Sequence, residues 1–416
     1  MKKLLIIFLF LVLIPSPAYA ARLWTTGFEL QWLSNNGEME EQCSGTPFSM
    51  DTTRERSGAG ALKFLRSTAG TGLCGKRGIG GTGQTYFRTY LNIETSASAQ
   101  TAVLFVEDNN GADVAGIDLD TNDTLQMTYL SGGVWTDTGS PSSALSKDTW
   151  YRLEFFADCT SATTIDIEAR LDGSTIATGT GLTATCASSS LLRATIGSRA
   201  SITGEWYFDD VAVNSAAGTA QTSWPGEGKV VNLFPDGNAG DNNNASSGDC
   251  TSVDEVTPDG ATTIAVLDAN SDILDCNVED PTTKIAAADT ITLVQVGYTE
   301  AAASAASGSL AARVKSAASG TTSTGSTKTH DDTTYRWPIG DPATDRPFSL
   351  TSYTDPTTTV AWTVTGTNSL ANMQVGVTAI DADPDMNITS ISAVVEYVLA
   401  TPSSGNRNFF FFFPFF

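Results

Sequence analysis

The chain has 416 residues, of which 46 are acidic and 23 are basic, so its formal net charge is −23 at pH 7. A surface of this sign repels nucleic acid and anionic lipid, which argues against both as partners. Charged residues make up only 17% of the chain and hydrophobic residues 41%, a composition typical of a folded protein and not of an acidic disordered one.

Residues 1–20 have the pattern of a secretory signal peptide. A basic start precedes an apolar run, 4–14, and an A-x-A cleavage motif ends at Ala20. Because the apolar run is too short to cross a bilayer comfortably, we expect no membrane span in the mature chain. The predicted location is secreted or extracellular, with the periplasm as the alternative.

The six cysteines of an exported chain predict disulfides. They fall along the sequence as three local couples, which we predict to be Cys43 with Cys74, Cys159 with Cys186, and Cys250 with Cys276. Each bond would stabilise the fold by about 3 kcal/mol through loop closure. None of the cysteines has a C-x-x-C spacing, so a zinc or redox site is not indicated.

A small, polar stretch containing Gly and Pro divides the mature chain. We predict a first domain at 22–214, a linker at 215–225, a second domain at 226–399 and a disordered or artefactual Phe-rich tail at 400–416.

Alternation of apolar and polar residues predicts strands throughout the first domain. The segment "TIDIEARLDG" (164–173) places isoleucine, alanine and leucine on one face and charged residues on the other. Asn110 and Gly111 join two strand-like runs and predict a hairpin turn. The segment "EWYFDDVAVN" (205–214) also predicts a strand, although it contains two adjacent acids. The pattern indicates an antiparallel sandwich or jelly roll.

The second domain carries further strand patterns. Candidate strands are "TITLVQVGYT" (290–299), "SLAARVKSA" (309–317), "TTTVAWTVTG" (357–366) and "TSISAVVEYVL" (389–399). We therefore predict an all-β protein with two antiparallel β-sandwich domains in tandem after a cleaved signal peptide.

Catalytic motifs are not evident in the sequence. "GIGGTG" (78–83) is followed by a strand pattern and not by a helix, so we interpret it as a glycine loop between strands and not as a nucleotide site. The chain has one histidine, His330, in a polar stretch that predicts a loop, and it has no G-x-S-x-G motif. The acids of 164–173 could be imagined as a glycosidase pair, but a solvated strand face explains them more simply. We predict that the chain is not an enzyme.

Several short motifs of the first domain resemble the concanavalin A-like, laminin G-type jelly roll. They are "GFE" (27–29), "TWYRLEF" (149–155), "ARLDG" (169–173) and "WYFDDVAVN" (206–214). In that family the last strand lies beside the first, and acids from both often bind a structural calcium. The resemblance therefore implies Glu29 and Asp209 or Asp210 as calcium ligands. The alternative is that these acids are hydrogen-bonded or face solvent at a sheet edge.

Aromatic residues beside polar ones mark candidate sugar-binding positions. "YFRTY" places Tyr86, Arg88 and Tyr90 on one strand face, and Trp135 follows a turn-like "SGG". Ordinary core or surface aromatics are the alternative. Laminarinase-type enzymes of the resembled fold carry an E-x-D-x-x-E strand, which this chain lacks.

We therefore predict a secreted, non-catalytic recognition protein that binds glycans or a cell-surface polysaccharide through a calcium-stabilised jelly roll. The second domain loosely resembles β-sandwich modules of phage tails and surface appendages, so a structural subunit is the first alternative. A polysaccharide-degrading enzyme is the second. Whether the chain forms a homo-oligomer is left open.

Overall fold

The computed structural model describes residues 21–401, except 32, 34–36, 40, 44–47, 67–72, 241, 243–246, 259–261, 331–332, 337–347 and 349. The predicted signal peptide and residues 402–416 of the predicted tail lie outside the described residues. The regular secondary structure of the described chain is almost entirely antiparallel β-sheet, which confirms the predicted all-β fold. Its helical segments are short 3-10 turns at Ala187–Ser189, Cys250–Ser252, Pro281–Thr283 and Leu370–Asn372, and none could span a bilayer.

Two antiparallel sheets are built from residues 22–215. The first sheet has the strand order β13-β12-β11-β6-β15-β4-β3, with β1 also paired to β15, and the second has the order β10-β9-β8-β7-β14-β5-β2. The strands are β1 (Arg22–Thr26), β2 (Glu41–Gln42), β3 (Ser49–Asp51), β4 (Ala61–Arg66), β5 (Leu73–Thr82), β6 (Gln84–Thr95), β7 (Thr101–Asp108), β8 (Asp113–Leu119), β9 (Leu125–Ser131), β10 (Val134–Thr138), β11 (Trp150–Asp158), β12 (Thr164–Leu171), β13 (Ser174–Thr183), β14 (Leu191–Ser198) and β15 (Gly204–Ser215).

Two further antiparallel sheets are built from residues 229–398. The third sheet has the order β16-β26-β20-β24 with β18 on β26, and the fourth has the order β17-β19-β25-β21-β22 with β23 on β21. The strands are β16 (Lys229–Leu233), β17 (Pro235–Asn238), β18 (Ala265–Leu267), β19 (Ile273–Val278), β20 (Thr290–Ala302), β21 (Gly308–Lys315), β22 (Ser323–Thr324), β23 (Lys328–His330), β24 (Leu350–Ser352), β25 (Gln374–Asp381) and β26 (Met386–Val398).

The alternating patterns form strands because each sheet buries one face. In β12, Ile165, Ile167 and Ala169 are buried in the core, whereas Asp166 is exposed. The predicted hairpin joins β7 to β8, where Gly111 adopts φ 74°, a conformation that glycine accepts without steric cost.

Three local predictions are wrong. Residues 357–366 form a loop and not a strand, because Asp355 accepts hydrogen bonds from the backbone of Thr357 and the hydroxyl of Thr358 and folds the chain into a turn. His330 is not in a loop, since it ends β23 and is only 2% exposed. Most of "GIGGTG" belongs to β5 and not to a loop.

The three predicted cysteine couples are the disulfides of the structure, Cys43–Cys74, Cys159–Cys186 and Cys250–Cys276. The first crosslinks β5 to the segment before β3, the second joins the segment after β11 to the segment before β14, and the third fastens a 3-10 turn to β19. No free cysteine remains in the described chain.

A buried ion network links the first sheet to the third. The Glu396 carboxylate on β26 accepts a hydrogen bond from Arg22 Nη2 at 2.9 Å and lies 2.7 Å from Arg88 Nη2. The Arg88 contact has the distance of an ion pair but not the alignment of a hydrogen bond. All three side chains are at most 2% exposed, so the network ties the two pairs of sheets together inside the protein.

Candidate functional site

Glu29, one of the predicted calcium ligands, supports the turn at residues 56–59. Its two carboxylate oxygens accept hydrogen bonds from the backbone N of Ala59 at 3.0 and 2.8 Å. A Cβ at Gly58 would lie 1.8 Å from Glu29 Oε1, and Gly58 has φ 64°. Glycine accepts this positive φ without steric cost, and the turn packs against the Glu29 carboxylate.

Asp209 and Asp210 hold the same turn from β15. A bulge between Asp209 and Ala212, with Asp210 at φ 51°, turns both carboxylates toward it. Asp209 accepts from the backbone N of Arg56 at 2.8 Å, and Asp210 pairs with the Arg56 guanidinium and the Ser57 hydroxyl. Both acids are 0% exposed, so the solvent-facing alternative is excluded.

The acids suit a calcium ion in donor type and charge. All the donors are hard oxygens, and of these three acids Asp210 is the one that forms an ion pair with Arg56. Burial raises the pKa of Glu29 and of Asp209 well above the usual range, and neighbouring carboxylates raise both further. Their oxygens point at backbone N–H groups, however, and no three His, Cys, Asp or Glu side chains within the described ranges converge as metal ligands.

Tyr86, Arg88 and Tyr90 share one face of β6, as predicted, but their surroundings differ. Arg88 is 0% exposed and contacts Glu396. Tyr90 is 3% exposed and donates its hydroxyl hydrogen bond to Glu227 at 2.8 Å. Tyr86 is half-buried against other aromatic rings. Any ligand role of these three residues stays a prediction.

Tyr86 belongs to an aromatic cluster on the outer face of the first sheet. Its ring lies 4.7 Å from that of Phe156 and 5.4 Å from that of Trp224, which precedes β16. The guanidinium of Arg170 lies 3.9 Å from the Trp224 ring centroid. The segment after β15 therefore covers this face of the sheet.

Trp135 lies at a pocket on the opposite side of the sandwich. The pocket has a volume of about 520 Å³ and is lined by Gln100, Asp118, Trp135, Thr136, Asp137 and Arg199. Asp118 alternates along β8 with Ile117 and Leu119, which are in the core, so its carboxylate is on the outer face of the second sheet. Trp135 is on the edge strand β10, which leaves one side of the pocket open to solvent.

Polar contacts organise the pocket around the indole. The Arg199 guanidinium lies 3.4 Å from the Trp135 ring centroid, a cation–π stack, and its Nη2 is 3.5 Å from Asp118 Oδ2. The Thr128 hydroxyl donates to Asp118 at 3.1 Å, and the Gln100 amide donates to Asp137 at 3.1 Å. Arg199 is therefore held between a carboxylate and an aromatic face.

Burial sets the electrostatics of the pocket. It raises the pKa of Asp118 to about 6, against the opposing effect of Arg199. It also lowers the pKa of Arg199 below its ordinary value. The Arg199 Nη1 atom is buried and has no hydrogen-bond partner in the described part of the chain.

Sequence reasoning singled out Trp135 but missed Gln100, Asp118, Asp137 and Arg199. Arg199 and Asp118 are 81 positions apart in the sequence. The available signal was Asp118 itself, an acid inside the apolar alternation of β8, which marks an outward-facing position.

Comparisons with known proteins give structural matches alone. No protein-family model and no curated protein matches the chain. An endo-β-1,4-glucuronan lyase from Trichoderma reesei is 14% identical over 42% of this chain and 91% of its own, with a TM-score of 0.35. The cellulose induced protein Cip1 is 17% identical over 49% of this chain and 99% of its own, with a TM-score of 0.36. Domain 4 of AbnA, an extracellular arabinanase from Geobacillus stearothermophilus, is 14% identical over 49% and 96%, with a TM-score of 0.33.

The prediction that the chain is not an enzyme is wrong. The similar structures are mostly hydrolases, lyases and sialidases. The prediction relied on the absence of short catalytic motifs, but catalytic groups are set by a site and not by a fold or a fixed sequence pattern. At these low identities, the similarity assigns no reaction and no substrate to this chain.

Proposed function

We propose that this chain is a secreted protein that binds a glycan in the Trp135 pocket of a laminin G-like jelly roll. The observation that carries the proposal is the combination of an aromatic ring with side chains that both donate and accept hydrogen bonds, in one open concavity. Sugar rings present apolar C–H faces that stack on aromatic rings and hydroxyls that need planar polar partners. The proposal concerns binding, a step that a polysaccharide-degrading enzyme also requires.

Trp135→Ala tests the pocket directly. We expect the substitution to weaken binding of a neutral polysaccharide, such as arabinan or xylan, by about 10- to 30-fold, because it removes the stacking surface at the centre of the site. Affinity electrophoresis of the full chain in gels that contain the polysaccharide measures the loss.

Trp224→Ala is the matched control. Trp224 is also half-buried and also stacked by an arginine, Arg170, but it packs against the outer face of the first sheet. Equal losses in both variants would contradict the assignment of the site to the Trp135 pocket, and so would full binding by Trp135→Ala.

We also propose calcium as a structural ion at Glu29 and Asp209. The support is the burial of acids beside one another with few cations in direct contact. We expect 1 mM calcium to raise the unfolding midpoint by about 5–10 °C, since an ion that binds only the folded state stabilises it. Glu29→Gln should abolish the increase, whereas Glu55→Gln, at an exposed position of the adjoining loop, should preserve it. A midpoint that calcium leaves unchanged would refute this part of the proposal.

A further inference from the structure

The formal charges lining the Trp135 pocket sum to a net negative value. Arg199 is its one cation among the described lining residues, and Asp118 and Asp137 are its two acids. Asp113, another acid of β8, also interacts electrostatically with Arg199. The whole chain, with a net charge of −23, adds a negative field around the pocket.

The hydrogen-bonding groups of the pocket are mixed in kind. Gln100, Thr136 and the Arg199 guanidinium offer donors, and the two carboxylates offer acceptors. Vicinal hydroxyls of a neutral sugar both donate and accept, so they complement such a set. A uronate carboxylate can only accept hydrogen bonds, and the like charges of Asp118 and Asp137 would repel it.

Asp118 already occupies the position that an acidic ligand would need. Its Oδ2 lies 3.5 Å from Arg199 Nη2, so the cation of the pocket has a carboxylate partner within the protein. An acidic sugar would have to compete with that partner. A neutral hydroxyl would not, because it has no charge with which to displace the carboxylate from Arg199.

We propose that the Trp135 pocket selects neutral sugars and discriminates against glycans that carry uronic acids. This inference depends on the proposed function, because it names the class of glycan that the same pocket takes. Arg199 serves as a hydroxyl donor in this site, and the two aspartates act both as acceptors and as the source of the charge discrimination.

The test compares neutral polysaccharides, namely arabinan, xylan and mannan, with alginate and polygalacturonate on the full chain at low salt. We expect the acidic polymers to bind at least about 5- to 10-fold more weakly than the best neutral one. Raising the salt concentration should narrow this gap in affinity between neutral and acidic polymers, because salt screens exposed charges. Asp137→Asn should narrow it at all salt concentrations. Since Asp137 is exposed, this variant should fold normally.

The pH of the assay gives an independent readout. As the pH falls from 8 to 5, protonation of Asp118 should narrow the gap in the wild type, because its pKa is about 6. Arg199 and Asp137 are the charged groups that act on Asp118, and Asp113 acts in turn on Arg199. Asp118→Asn should lose most of this pH dependence.

The outcomes separate the two proposals. If alginate or polygalacturonate binds as tightly as the neutral polymers, and Trp135→Ala abolishes that binding, the charge inference is wrong and the glycan site stands. If no polymer of the panel binds in a Trp135-dependent way, the proposed function itself is wrong. If neutral polymers bind selectively but Asp137→Asn and Asp118→Asn leave the gap unchanged, the aspartates are not its cause and the inference fails.

Discussion

Glu396→Gln is expected to destabilise the fold by about 3–5 kcal/mol, because it leaves two buried guanidinium groups without their shared anion. Arg22 and Arg88 have side chains that are 0% exposed, and neither can reach water when the carboxylate is lost. The Thr292 hydroxyl also donates to Glu396 at 2.7 Å and would lose a charged acceptor. Urea unfolding followed by tryptophan fluorescence measures the change.

Glu279→Gln provides the matched control. Glu279 pairs with Lys284 at 2.7 Å, but both side chains are partly exposed, at 31% and 23%. Pairs of this kind contribute about 0–1 kcal/mol, so the control should unfold almost like the wild type. Equal effects of the two substitutions would show that the buried network does not hold the sheets together.

The pH dependence of stability should also report the contribution of Glu396 and its two arginine partners. Burial alone would raise the pKa of Glu396, but Arg22 and Arg88 outweigh it and hold the pKa at about 2. Because this folded value lies below that of an unfolded glutamate, about 4.5, Glu396 stabilises the protein above pH 4.5. That contribution, about 3 kcal/mol, is lost as the pH falls toward 2. Glu396→Gln should lack this acid-sensitive part.

The strands could be predicted from the sequence because their signal is local. Alternation in β12, β20 and β26 repeats every second residue, and one buried face per strand is sufficient to produce it. The cysteine couples were predictable for a similar reason, since each pair is separated by 26 to 31 positions. The strand prediction for residues 357–366 is wrong because their threonines and valines have high β-propensity, whereas the turn at Asp355 sets the backbone conformation.

The site could be predicted only in part because its members come from distant segments. Trp135 has a local signal, an aromatic residue after a turn. Its partner Arg199 follows β14, and only the order of strands in the second sheet brings the two together. Arg88 shows the opposite error: alternation placed it correctly on a face of β6, but Glu396, far along the chain, buries that face. Local periodicity gives the face of a strand and not what covers it.

Glu300, a second buried acid of the third sheet, has no comparable cation among the described residues, and its effect on stability should have the opposite sign. Glu300 on β20 is 0% exposed, and neither of its carboxylate oxygens has a hydrogen-bond partner among the described residues. Burial raises its pKa to about 8, and Lys328 opposes this effect. The folded protein therefore holds a proton on Glu300 at pH values where the unfolded chain has released it.

We expect the wild type to lose stability as the pH rises from 4.5 through 8, by about 5 kcal/mol from this group. Stability falls with rising pH because the folded pKa of Glu300 exceeds the unfolded value of 4.5. The contribution of this group is fully present below pH 4.5 and is lost as the pH rises through 8. Glu300→Gln keeps the shape of the side chain and cannot ionise. It should match the wild type near pH 4.5 and exceed its stability by about 3–5 kcal/mol at pH 9.

Urea midpoints measured at pH 4.5, 7 and 9 test this expectation, with Glu55→Gln as an exposed control that should follow the wild type at each pH. The comparison between variants matters more than the wild-type curve, because Glu396 and the other buried acids titrate in the same protein. A Glu300→Gln variant that is less stable than the wild type at pH 9 would mean that the Glu300 carboxylate is ionised and stabilised in the folded state. A cation in addition to Lys328 would then lie within reach of that carboxylate.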